Sequence, residues 1–176
     1  MMQTSSSHRI RFIAECSSML LLSLALSYVE SLIPIASLVP LPGFKPGFAN
    51  IVIVIAFYRL SPYAAAFISV CRVVISSLMF SAVTTLLFSL SGALLSFAAL
   101  LACAKLLNGK IGFIGLSVLM ALFHNIGQLA CALAVMGNSS LIYYFPALSL
   151  AALICGCITG AILTFIPNKI YSGRVL

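Results

Sequence analysis

The chain has 176 residues, of which 63% are hydrophobic and 6% charged, whereas soluble domains carry about 25% charged residues. Glu15 and Glu30 are its only acidic residues, which excludes paired-carboxylate acid/base catalysis and the Asp-rich clusters that hold Mg-diphosphate. At about 20 apolar residues per membrane-spanning helix, the length accommodates six spans and no second, water-soluble domain. The formal charge of +7 comes from single Lys and Arg residues at the ends of apolar runs, not from the clustered basic surface that nucleic acid requires. The six cysteines lie within apolar stretches, where a free Cys serves as a small buried side chain. Cys155 and Cys157, two apart on an expected helix, point in different directions and cannot share a metal.

In chain order, the first apolar run extends from about residue 12 to 33, behind Arg9 and Arg11, and is too long for a signal peptide. A proline-rich connection, 34 to 46, cannot continue a helix and reads as an outer loop acting as a lid. A short second helix is expected over 47–60, reaching about 21 Å, less than the hydrocarbon thickness. Ser61-Pro62 interrupts it, and further helices are expected to about residue 80 and over 83–107, 111–136 and 141–166. Arg9, Arg11, Arg59, Lys105, Lys110, Lys169 and Arg174 fall on one side of this layout and Lys45 alone on the other. By the positive-inside rule both termini are cytoplasmic. The expected architecture is therefore an all-α, six-transmembrane-helix bundle over 12–166, with short cytoplasmic segments at 1–11 and 167–176. Gly156 and Gly160 on the sixth helix, and Ser23, Ser27 and Ser31 on the first, have the spacing of close helix packing. The serine stripe equally suits a partner protein.

Polar groups inside the spans are the next signal. Arg72 lies about 16 Å into a helix that enters from the cytoplasm, and an intramembrane ionisable residue is a functional candidate by default. The alternative is an ion pair with Glu30 that locks two helices. His124, Asn125 and Gln128 recur at helical spacing on one face of the fifth span, where each needs a hydrogen-bond partner. A lone His in such a helix would be a packing residue. Lys45-Pro46-Gly47-Phe48-Ala49-Asn50 places proline and free N–H groups at a helix start, an arrangement that attracts anions, with Lys45 at its mouth. The other reading is a plain loop-to-helix junction. Together Lys45, Asn50, Arg72, His124, Asn125 and Gln128 describe an outward-open, positive cavity for an anionic or strongly hydrogen-bonding small molecule. Phe44 and Phe48 are the aromatic residues beside it.

The segments Tyr28-Val-Glu30-Ser-Leu-Ile-Pro34, Pro42-Gly43-Phe44-Lys45-Pro46-Gly47-Phe48-Ala49-Asn50-Ile51, Arg72-Val73-Val74 and His124-Asn125-Ile126-Gly127-Gln128-Leu129 resemble the Gx transporter family, also called heptaprenyl diphosphate synthase component I. Pro46 departs from the aliphatic residue expected there. The resemblance spans about residues 14–166. It implies a fold like the substrate-binding S components of energy-coupling factor vitamin transporters, and a link to flavin supply: FAD, FMN or riboflavin as transported ligand. It also implies partners, a transmembrane coupling subunit and ABC ATPases recruited through it, since the chain has no GxxxxGK[ST] motif of its own. The first-helix serine stripe is the expected docking surface. The setting is a bacterial cytoplasmic (inner) membrane, and no catalytic residue or metal is expected. The alternative is an accessory subunit of polyprenyl diphosphate or quinone synthesis that binds a lipid diphosphate through a laterally open site.

Overall fold

A computed structural model describes residues 3–32, 47–80, 83–107 and 110–167. These residues form helices α1 (Gln3–Leu32), α2 (Asn50–Arg59), α3 (Pro62–Phe80), α4 (Val83–Leu107), α5 (Phe113–Met136) and α6 (Phe145–Phe165), with a 3-10 turn over Ser139–Tyr144. Five of the segments, all but α2, are long and apolar enough to cross a membrane.

The helix starts differ from expectation for local reasons. α1 already covers residues 3–11, ahead of the apolar run: neither proline nor glycine interrupts the chain before Pro34, and Arg11 pairs with Glu15 one turn on, Nε to Oε1 3.2 Å. α2 begins at Asn50 because Gly47 takes a left-handed φ of 85°, a conformation in which glycine carries no Cβ penalty. The α-geometry of α6 begins at Phe145 with Pro146 in its first turn, the place where a missing N–H costs nothing.

α4, α5 and α6 lie side by side, α3 packs on α4, and α1 packs on α3. α2 fills the space bordered by α1, α3 and α6, and seven of its ten residues are buried. Its apolar length forms the main core: Ile53, Val54, Ile55, Ala56 and Phe57 meet Ala65 and Ile68 of α3, Leu100 of α4, Leu116 and Met120 of α5 and Leu163 of α6. In a bilayer such contacts stabilise through close packing more than by removing apolar surface from water. The tightest approaches are made by glycine. A Cβ on Gly127 of α5 would come within 2.6 Å of the Ser91 carbonyl oxygen of α4. On α6, a Cβ on Gly156 would meet Val118 Cα of α5 at 2.5 Å, and one on Gly160 would meet Ile114 Cα at 2.4 Å. The Gly156/Gly160 pair therefore serves internal packing.

The serine stripe of α1 also turns inward. Ser23 and Ser27 are buried against the chain's own bundle, which corrects the expectation that this stripe docks a partner; Ser31 alone of the three is exposed. The reason lies one turn further along, where Glu30 shares the face of Ser23 and Ser27 and is itself 3% exposed.

Candidate functional site

The polar residues of the interior collect around the N-terminal turn of α2. Gly47 to Ala49 form the turn, and its N–H groups are engaged: Asn50, Ile51 and Val52 donate to the carbonyls of Gly47, Phe48 and Ala49 at 3.0, 3.1 and 3.2 Å. The Ala49 N–H donates to Glu30 Oε1 of α1 at 2.8 Å. A carboxylate from the chain itself thus stands where an anion is favoured by the helix dipole and the first N–H groups. At the far end of α2, Arg59 puts a positive charge on the terminus that favours it, and its Nε reaches Glu15 Oε2 at 3.4 Å.

Arg72 is 4% exposed on α3. Its Nη2 donates to Asn50 Oδ1 of α2 at 3.2 Å, while Nε is buried with no hydrogen-bond partner among the described residues. Among the described residues the direct ion pairs are those of Glu15 with Arg11 and Arg59. Arg72 and Glu30 line one small void together with Ser27, Gly47, Val73, Ser76, Ser89 and His124. A second void on the other side of the α2 turn is bordered by Gly47, Asn50, Ile51 and Val54, by Ser117, Met120 and Ala121 of α5, and by Cys155 and Thr159 of α6. Each holds about 10 Å³, the room of a single water molecule.

On α5 the three polar residues part company. His124 lines the Arg72 void, and its Nε2 lies 3.2 Å from Gln128 Nε2. Both side chains lie close against Gly92 of α4, whose missing Cβ would come within 2.8 Å of Gln128 Cγ and 3.0 Å of His124 Cε1. Asn125 is buried but turned to α6, where its Nδ2 donates to the Leu148 carbonyl at 2.8 Å. It ties two helices together. Phe48 is half-buried in the turn. Lys45 and Phe44, and with them the expected lid, lie outside the described residues.

The structure thus brings Glu30, Asn50, Arg72 and His124 together, with Gln128 one contact away. Sequence reasoning missed Gly92, Ser76 and Ser89, and it named Gly127 without its packing role. The serines had a signal, since hydroxyls buried on the inner faces of α3 and α4 recur at helical spacing. Ser91 joins the same interface, its Oγ donating to the Gly127 carbonyl at 2.9 Å.

Apolar helices of membrane-spanning length, wrapped around a buried charged cluster, define a multi-pass membrane protein. The family model described as heptaprenyl diphosphate synthase component I matches residues 19–166, and the chain belongs to that family, the one its motifs resemble. No curated protein and no solved structure matches it.

Proposed function

We propose that the chain is the substrate-binding subunit of an energy-coupling-factor-like transporter. In this reading six helices cross a bacterial inner membrane with both termini cytoplasmic, and the cargo is a small anionic cofactor, a flavin (FAD, FMN or riboflavin). The observation that carries the reading is Arg72: a guanidinium 4% exposed in a membrane-spanning helix, with its Nε unsatisfied. Such a group is costly to keep in a membrane and earns its place by meeting a solute. Asn50, His124 and Gln128 supply the further hydrogen bonds. The present void of about 10 Å³ is far below the roughly 300–1,000 Å³ of small-molecule sites, so the solute must displace the Gly47–Asn50 turn as it binds. The chain contributes no catalytic group, and energy comes from a coupling subunit and its ATPases.

The test is purification followed by absorbance at the flavin bands, mass spectrometry of co-purified ligand and fluorescence titration. A flavin bound by the wild type and lost on Arg72→Ala supports the reading. A protein that takes up no flavin at any concentration overturns it, and a co-purified prenyl diphosphate moves the assignment to an accessory role in polyprenyl synthesis.

A further inference from the structure

At the basic end of the bundle, away from the Arg72 cluster, the described residues enclose a groove of about 380 Å³. Pro62, Tyr63 and Ala66 of α3 form one wall and Phe97, Leu101, Ala104 and Lys105 of α4 the other, with Phe57 of α2 as the floor. Phe57 is fully buried and held edge-on by Phe97, with ring centroids 6.3 Å apart, so the floor is fixed. Ala66 on one wall and Ala104 on the other leave room that larger side chains would take up.

The contents of the groove follow from its dimensions and its rim. Phe97 to Lys105 is about 12 Å along α4, and a helix about 10 Å across would need about 900 Å³ over that length. A methylene chain fits and a helix does not. At the rim stand an exposed Lys105 and Tyr63, 88% exposed, an aromatic with a polar tip suited to headgroup level. Arg59, at the same end, shares the Glu15 carboxylate with Arg11, whereas Lys105 makes no ion pair among the described residues.

We propose that this groove is a binding site for an anionic phospholipid, one acyl chain lying between α3 and α4 over Phe57 and the phosphate held by Lys105. The site is independent of the Arg72 cluster and stands or falls separately from the transport reading.

The full-length protein in nanodiscs of equal phosphatidylglycerol and phosphatidylcholine, released into mild detergent and weighed by native mass spectrometry, retains phosphatidylglycerol about fivefold over phosphatidylcholine, the preference one lysine confers near a membrane surface. Lys105→Gln, an exposed change that leaves the core intact, abolishes that preference, and Ala66→Phe fills the groove and strips the retained lipid. A phosphatidylglycerol with a photoreactive acyl chain labels the 97–105 segment. An unaltered preference in Lys105→Gln, or labelling confined to α1 or α6, overturns the proposal. Displacement of the phospholipid by an equimolar long-chain prenyl diphosphate overturns it as well and reassigns the groove to that lipid.

Discussion

Glu30, in the last turn of α1, accepts the backbone N–H of Ala49 at 2.8 Å across nineteen residues of sequence, so the N-terminus of α2 is capped by a charge from another helix. A buried hydrogen bond to a charged group contributes about 1.5–3 kcal/mol. Glu30→Ala is expected to lower stability by about that amount, read as a drop in the thermal midpoint in detergent. Glu30→Gln, which keeps an acceptor, is expected to lose less. Equal midpoints for wild type and alanine variant would show that α2 holds its place without this cap.

The chain's other acid provides the contrast. Glu15 bridges Arg11 and Arg59, but its side chain is 28% exposed and that of Arg59 33%, and partly exposed pairs of this kind contribute less than about 1 kcal/mol. Glu15→Gln is expected to shift the midpoint far less than Glu30→Ala. A larger shift would mean that the basic end of α1 is held mainly by charge.

Arg72 and Asn50 offer the test of the transport reading. If a solute meets the guanidinium, Arg72→Ala weakens flavin affinity by about 10- to 100-fold, the equivalent of one charged hydrogen bond, while the protein still elutes as a single species. Arg72→Lys restores charge without the planar fork and is expected to recover only part of the loss. Asn50→Ala frees Arg72 Nη2 and is expected to alter affinity by less than Arg72→Ala. Unchanged affinity in all three variants would make Arg72 a structural residue.

The glycine contacts predict a graded series. Gly127→Ala, Gly156→Ala and Gly160→Ala each place a Cβ within 2.6 Å of backbone on a neighbouring helix, and overpacking of this kind costs about 1–3 kcal/mol. Gly112 has nothing within 4 Å of its added Cβ, so Gly112→Ala is the silent control. Thermal midpoints of the four variants check the order; a Gly160→Ala protein as stable as Gly112→Ala would show that α5 and α6 adjust freely.

Much of this architecture was legible because hydropathy and proline are read directly from the chain. Apolar runs broken by Ser61-Pro62 and the Gly137–Ser140 turn marked the ends of the long helices, and α2 was legible as too short to span. The boundaries that moved, at Asn50 and Phe145, depend on turn geometry that hydropathy does not encode. At the site, the burial of Arg72 and His124 was legible and their partners were not. Helical periodicity put His124, Asn125 and Gln128 on one broad face, but α4 and α6 divide that face between them, and α6 claims Asn125. The serine stripe of α1 looked equally suited to a partner, because residue size gives a packing face without saying what it packs on; Glu30 and its Ala49 bond decide the direction.

Gly47 borders both small voids, and Asn50, in the wall of one, holds the arginine that lines the other. The two spaces are therefore chambers on either side of a common partition. In the proposed transport reading a cargo seated on the α3 side would meet that divider first, and the Ala49 N–H held by Glu30 ties the divider to α1.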